Sequence, residues 1–377
     1  MLVVSLGRFG GVTEYGWLMG KALTEQCEMA VVYSSSAENK EKWQTLGVPF
    51  LEVDTFSGVR TMLFSMFSVR RFSAIRRFAC EFRPDIIYYP GAHAWKPVLD
   101  VVLPRAATTM LTIHDPELHP GEDSLGLRMF AASNQLRVHG YVLLNRSQRE
   151  WFIERHGLNP ARVAVVPLGV FDDYPTAAPR LSEVEHLADI APCAGRYLLF
   201  IGRIRPYKGI DTLLTAYREA PALSSVPLVI AGSGEFSAEE RALLESLRNR
   251  PVHVVNRWLE PEDISALVSA ARFVVLPYTS ATQSGVIPLA SAFGVPAIAS
   301  DTAGLAEQVL DGETGLLFRV GDSTALAAAL ERLSGMSDDE YRAMSARCKE
   351  HAETNWAWSV LAENLLRFCE SLTSESH

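Results

Sequence analysis

The sequence predicts an α/β protein built from two doubly wound parallel-sheet domains. Three observations carry that prediction. Short apolar runs alternate with helical patterns from residue 2 to residue 166. A stretch rich in Asp, Pro, Ala and Glu follows at 171–195 and reads as a linker with a short helix. The alternation then restarts at Tyr197 and runs on into the C-terminal helices. Successive βαβ arrays give parallel sheets covered by helices, and two of them joined by a linker are expected to face each other across a cleft.

The totals agree. A chain of 377 residues is long for one hydrophobic core. With 48% hydrophobic and 21% charged residues, the composition is that of a soluble globular protein. A formal net charge of −9 argues against a nucleic-acid binder. Cys27, Cys80, Cys193, Cys348 and Cys369 are scattered, and no Cys-x-x-Cys spacing supports zinc or a disulfide framework. No basic leader precedes the first strand, and no apolar run reaches the roughly 18 residues of a spanning helix. A cytoplasmic protein is expected.

In the first half, Leu2–Leu6 is a strand, followed by Gly7-Arg8-Phe9-Gly10-Gly11 and a helical pattern from Thr13 to Leu23. These glycines do not make G-x-G-x-x-G, so the dinucleotide fingerprint is not met. Gly10 and Gly11 either let a ligand approach the backbone at a helix start or form only a tight turn. Met29–Tyr33 is a second strand. Residues 57–83 then carry Arg60, Arg70, Arg71, Arg76, Arg77 and Arg83 against the single acid Glu81. The segment's charge is +5, which leaves −14 on the rest of a chain whose total is −9. Leu63, Phe64, Met66, Phe67, Phe72, Ile75, Phe78 and Phe82 interleave with the arginines. The segment reads as a basic helix that either lies on an anionic membrane surface or packs on the sheet with solvated arginines. Asp85–Tyr89 and Thr108–Ile113 are strands, and the latter ends in His114-Asp115-Pro116. His119, Glu117, Glu122 and Asp123 follow in a loop. A His at the end of a parallel strand stands where α/β folds bind ligands, or is structural. Gly140–Leu144 and Val163–Val166 complete the half.

In the second half, Tyr197–Ile201, Leu228–Ala231, Val252–Val255, Phe273–Leu276, Ala297–Ala299 and Leu316–Phe318 read as strands. Helices are expected through Ala220, at 261–270, before Gly294, and at 323–334, 338–353 and 356–372. Arg203 and Lys208 follow the first of these strands directly. Arg203 can clamp phosphate oxygens with its planar fork, and Lys208 adds a point charge. The polar turn Thr279–Gly285 opens a helix whose N–H groups and positive dipole end suit an anion. Together they form a candidate diphosphate cradle.

The blocks "FIGRIRPYKGIDTLLTAY", "LVIAGSGE" and "PYTSATQSGVIPLASAFGVPAIASDTAGLAEQVLDGETGLLF" resemble, in order and spacing over 196–334, the donor half of the family 4 (group 1) nucleotide-sugar glycosyltransferases of GT-B fold. The first half resembles it more loosely, through Gly10-Gly11, "TIHD" and "VVPLGV". The resemblance implies a retaining, metal-independent, hexosyltransferase-like enzyme. It would move a sugar from a nucleotide-diphosphate sugar to a glycan or lipid-linked acceptor in polysaccharide or glycoconjugate biosynthesis. It implies an acceptor-binding domain over 1–175, a donor-binding domain over 196–355, and a helix at 356–377 that returns to the first domain. Arg203 and Lys208 match the pair that neutralises the leaving diphosphate. Ser284, Gly285 and Val286 match the phosphate turn, and Gly11 the first-domain glycine near it. His114 matches the catalytic histidine facing the transferred sugar. Glu307 matches an acid of structural or functional role. No cofactor is implied, since the nucleotide sugar is a substrate.

One departure stands out. The family's Glu, seven residues, Glu pattern falls on Ala281 and Leu289, so both carboxylates are missing. A same-face displacement needs charge stabilisation and positioning more than a carboxylate nucleophile. Gln283 is a candidate to hydrogen-bond the donor sugar instead. No Asp-x-Asp, phosphate-binding G-x-x-x-x-G-K-[ST], G-x-S-x-G or metal-ligand spacing occurs, so no metal site is expected. The alternatives are a GT-B sugar-nucleotide epimerase or hydrolase, and a non-catalytic sugar-nucleotide-binding subunit. An anionic membrane surface, reached through 57–83 and peripheral to the cytoplasmic face, is a further expected partner.

Overall fold

A computed structural model describes residues 1–56, 58–114, 116, 125–170 and 178–374. The chain divides into two units, Met1–Leu168 with Trp358–His377, and Gly169–Ala357.

The first unit contains β1 (Leu2–Ser5), α1 (Gly11–Thr24), β2 (Ala30–Ser34), α2 (Lys40–Gln44), β3 (Phe50–Val53), α3 (Val59–Ser65) and α4 (Val69–Phe82). It continues with β4 (Ile86–Tyr89), α5 (Lys96–Val102), β5 (Thr108–Ile113), α6 (Leu125–Asn134), β6 (Gly140–Leu143), α7 (Arg149–His156) and β7 (Val163–Val165). The seven strands are parallel, in the order β3-β2-β1-β4-β5-β6-β7. The order reverses between β1 and β4, and ligands of such sheets gather at the strand ends beside that switch point. β1, β2 and β6 are buried along their whole length, as strands covered on both faces must be.

One expectation needs correction. The stretch 57–83, read as one helix, holds two: α3 and α4, over Val59–Ser65 and Val69–Phe82. Phe67 and Ser68 make tight i→i−3 bonds to Phe64 and Ser65, and the Ser65 hydroxyl donates back to the Met62 carbonyl at 2.7 Å. Serine hydroxyls that bond their own backbone compete with helix propagation. The short helix expected in the linker is of 3₁₀ type, at Leu181–Glu183 and Glu185–Cys193, with Pro192 inside the second. Residues 171–177 lie outside the described residues.

The second unit contains β8 (Leu198–Ile201), α8 (Ile210–Glu219), β9 (Leu228–Ala231), α9 (Ala238–Ser246), β10 (Val252–Val255), α10 (Pro261–Ser269), β11 (Phe273–Leu276) and α11 (Val286–Ala292). β12 (Ala297–Ser300), α12 (Ala303–Ala306), β13 (Gly315–Phe318), α13 (Ser323–Ser334) and α14 (Asp338–Asn355) follow. Its six parallel strands run β10-β9-β8-β11-β12-β13, with the switch point between β8 and β11. One core cluster, including Phe200, Leu213, Ile230, Phe273 and Ile298, binds sheet and helices together. The last helix, α15 (Trp358–Ser374), packs on α1: the Tyr15 and Trp358 rings meet edge-on at 5.4 Å, and Gln26 Nε2 donates to the Ser359 carbonyl at 2.7 Å.

Candidate active site

A cavity of about 460 Å³ opens at the switch point of the second sheet. Its walls come from the segments after β8, β9, β10 and β11, and they include Arg203, Lys208, Trp258, Gln283, Ser284, Gly285, Val286 and Leu289. Six sequence-predicted residues of the second half therefore meet in one place.

The backbone builds the cationic side. After β8, Ile204 N–H donates to Ser233 O at 2.9 Å, which carries Arg203 out beside the β9 turn. The Arg203 guanidinium carbon stands 5.9 Å from the Trp258 ring. Pro206–Lys208 is one 3₁₀ turn closed by Gly209 in the left-handed region, φ +63°. A Cβ on Gly209 would fall 1.9 Å from the Pro277 carbonyl oxygen, so only glycine fits between this turn and β11. Thr279 N–H donates to Tyr207 O at 2.8 Å and fastens the two loops together. Lys208 Nζ is thereby held 3.6 Å from the centre of the buried Tyr278 ring. Burial pushes the Lys208 amine below its ordinary range, and it pushes the Tyr278 hydroxyl up to about 12, so that phenol stays neutral. Among the described residues no carboxylate pairs with Arg203 or Lys208, and no carboxylate lines the cavity. Two unneutralised cations facing a concave apolar wall can hold an anion.

The turn before α11 is more occupied than its sequence suggests. Ser284 N–H donates to Gln308 Oε1 at 2.8 Å, and Val286 N–H points to Ser284 Oγ at 3.3 Å. Gly285 N–H has no acceptor among the described residues. Gln308 Nε2 donates back to Ser284 O at 3.0 Å, so its carboxamide clasps the turn at both main-chain groups. Gln308 and Ser284 are buried. Sequence reasoning missed Gln308, which looks like an ordinary polar residue behind α12; its contact spans 24 residues. It missed Trp258 too, although a large exposed aromatic in the polar loop Asn256–Glu260 was a usable signal. Gln283 Oε1 is buried with no hydrogen-bond partner among the described residues. Such an acceptor is costly unless a donor arrives. Leu289 is a buried aliphatic wall of the cavity, and Ala281 packs half-buried against the core. Glu307 caps the end of α12, exposed and outside the cavity lining.

Gly11 and His114 lie in the first unit. Gly11 opens α1 after Gly10, whose N–H donates to Glu38 Oε1 at 2.6 Å. His114 follows β5. Its Nε2 donates to the Pro90 carbonyl at 2.8 Å, and its ring meets Tyr15 edge-on at 4.8 Å. Gly91 lies against both Val12 and the His114 ring, so the α1 start and His114 meet beyond the C-terminal ends of the central strands β1, β4 and β5. Asp115, Glu117, His119, Glu122 and Asp123 lie outside the described residues. Among the described residues no group of three or more His, Cys, Asp or Glu is arranged to hold a metal ion.

Comparison with known proteins places this geometry. A family model described as Glycosyl transferases group 1 matches residues 195–335, and one described as Glycosyltransferase Family 4 matches residues 9–174. The D-inositol 3-phosphate glycosyltransferase of Corynebacterium diphtheriae is 26% identical over 75% of this chain and 70% of its own length. The phosphatidyl-myo-inositol mannosyltransferase of Mycobacterium leprae is 28% identical over 63% of this chain and 60% of its own length. The matched stretch thus spans less than two-thirds of the second relative. The crystal structure of Anabaena HepE in complex with UDP superposes with a TM-score of 0.71 at 17% identity, over 98% of this chain and 99% of that one. That likeness shows the fold, GT-B. The two family models between them take in both units, and the chain belongs to the family 4, group 1 glycosyltransferases.

Proposed function

We propose that the chain is a retaining, metal-independent glycosyltransferase that moves a hexosyl group from a nucleotide-diphosphate sugar to a glycan or lipid-linked acceptor. The observation that carries this reading is the pair Arg203 and Lys208, unneutralised, in one cavity with the Ser284–Val286 turn. As the anomeric C–O bond breaks, negative charge grows on the leaving diphosphate. A guanidinium fork and an ammonium set before the reaction stabilise that charge without reorganising. The acceptor oxygen bonds to the anomeric carbon on the same face, and its proton passes to the departing phosphate oxygen. Gln283 Oε1 takes a sugar hydroxyl as its missing donor. To His114 we assign the transferred sugar and to Gly11 the diphosphate, the roles that the family resemblance implies for them. The relatives' names put inositol phosphates and phosphatidylinositol first in an acceptor panel, and the HepE complex puts UDP first among nucleotides. We place the enzyme in polysaccharide or glycoconjugate biosynthesis, peripheral on an anionic cytoplasmic membrane face through 57–83. Among the described residues no helix is long and apolar enough to cross a membrane.

Incubation with labelled nucleotide sugars and these acceptors tests the reading. A new glycoside with release of nucleoside diphosphate supports it. Ala281 and Leu289, in place of two acids, favour one alternative, a subunit that binds the sugar nucleotide without turnover; saturable binding with no product supports that alternative.

A further inference from the structure

Burial lowers the pKa of two lysines, and their partners differ. Lys96 on α5 is fully buried, and its Nζ donates to Asp100 Oδ2 at 2.7 Å and to the Leu136 carbonyl at 2.8 Å. Its charge is spent on a carboxylate one helical turn away. Lys208 has no ion pair among the described residues. What faces it is aromatic. Its Nζ stands 3.6 Å from the centre of the Tyr278 ring and 5.1 Å from that of Tyr207. The two rings are close to perpendicular, with their centres 6.4 Å apart. Among the described residues, the titratable and charged groups around the amine are these two phenols and, in the same cavity wall, Arg203. The nearer ring is firmly placed. Tyr278 is buried, and Ser300 Oγ at the end of β12 donates to its carbonyl at 2.6 Å.

A carboxylate would hold the ammonium too, but it would cancel the charge, and an arriving anion would have to displace it. A ring face attracts a cation through its quadrupole and brings no net charge of its own. The attraction is strongest where water is kept away, as it is beside a buried ring. We propose that Tyr278 is a positioning residue for Lys208: its ring face keeps the ammonium charged and in place in the cavity wall while leaving that charge free for the phosphate oxygens of a ligand. Lys96 with Asp100 shows the other solution in the same chain, a buried amine whose charge is no longer available. The proposal rests on the glycosyltransferase reading for one point, that the anion is a nucleoside diphosphate. The pairing of amine and ring stands on its own geometry.

The test uses the full chain. NMR of the lysine Cε groups follows each amine through an alkaline pH series without nucleotide, and calorimetry measures UDP binding on the same samples. The chain has six lysines, so the Lys208 signal is the one lost in Lys208→Met. Tyr278→Phe keeps the ring face; its Lys208 should titrate as in the wild type, and UDP affinity should stay within about twofold. Tyr278→Leu keeps an apolar wall without the quadrupole. There the Lys208 titration should move down by about one pH unit, and UDP affinity should fall about tenfold. Tyr278→Met carries the same expectations should Tyr278→Leu fail to fold. In a Lys208→Met background, Tyr278→Leu should cost no further affinity, whereas a ring that merely shapes the cavity costs the same in both backgrounds. Equal losses in the two backgrounds overturn the proposal. So does a Lys208 titration that Tyr278→Leu leaves unmoved, or a Tyr278→Phe protein as impaired as Tyr278→Leu. The two readings separate on the same samples. A Lys208 titration that follows the ring in a protein that ignores UDP sinks the donor reading and leaves the pairing; UDP binding that Tyr278→Leu leaves intact does the reverse.

Discussion

Gln308 holds Ser284 by both ends of one peptide unit's neighbourhood, accepting from its N–H at 2.8 Å and donating to its carbonyl at 3.0 Å. The two residues come from different segments, the region behind α12 and the turn before α11. A turn fastened this way has one conformation before any ligand arrives, so little ordering entropy remains to be lost on binding. Replacing Gln308 by Leu leaves two buried main-chain groups unsatisfied, at about 1–3 kcal/mol each. The expected result is a fall in thermal midpoint together with a weaker Kd for UDP. Asn or Glu in place of Gln tests the amide itself: Glu keeps the acceptor, loses the donor and brings a negative charge near the cradle. UDP affinity that is unchanged in Gln308→Glu would remove this role.

Lys208 should show a conflict between stability and binding. Burial lowers its pKa in the folded chain, so below the unfolded value the unfolded chain binds more protons. Stability from this group therefore rises as pH climbs from the lowered folded pKa toward 10.5, and at neutral pH the charged amine costs stability. Lys208→Met should raise the melting temperature of the nucleotide-free protein and cut UDP affinity by about 1.5–3 kcal/mol, roughly 10- to 150-fold. A bound diphosphate favours the charged amine, so affinity should also fall as pH rises through the lowered Lys208 pKa. Calorimetry over an alkaline pH series measures both effects; an affinity flat with pH argues against Lys208 at the anion.

His93 gives the first unit an acid-sensitive point. Burial pushes its imidazole down to about 3, and its Nδ1 accepts the Trp95 N–H at 3.2 Å, which a proton there would prevent. The folded pKa is depressed below the ordinary 6.5, so the unfolded chain takes up the proton first. Stability falls as pH drops from 6.5 toward 3, by up to about 1.4 kcal/mol per pH unit. His93→Gln should flatten this part of the urea-denaturation profile, with the wild type losing more between pH 6.5 and pH 4 than the variant.

Gly209→Ala should damage both fold and site. The left-handed backbone costs an alanine about 1–2 kcal/mol, and the overlap with the Pro277 carbonyl adds to it. A melting temperature lower by several degrees and loss of UDP binding are expected. Wild-type behaviour would mean that the 206–209 turn moves freely against β11.

How much of this was legible depended on whether a residue's role shows in its immediate surroundings. The six strands of the second sheet stand out as short runs, apolar but for His253 in β10 and Ser300 in β12, each with Gly or Pro at one end or beside it. β3 does not. Phe50 and Glu52 are exposed on this edge strand, so it lacks the continuous apolar run that marks its buried neighbours. Arg203, Lys208 and the 283–286 turn were legible because they directly follow strand ends. Gln308 was not, since a side chain that bonds a distant main chain leaves no local pattern. The split of 57–83 into α3 and α4 was hidden because hydrophobic spacing stays helical across Met66–Ser68 while the serine hydroxyls redirect the chain.

The cavity at the β8–β11 switch point bears two positive charges and none of opposite sign, with Leu289 as aliphatic wall. On the proposed reaction, the nucleoside diphosphate, once it has passed the acceptor's proton on to water, carries one more negative charge than it does while esterified to the sugar. The same cradle therefore grips what it has made more tightly than what it was given. Escape of the spent nucleotide, rather than bond exchange, would set the pace of turnover, and added nucleoside diphosphate would act as a brake.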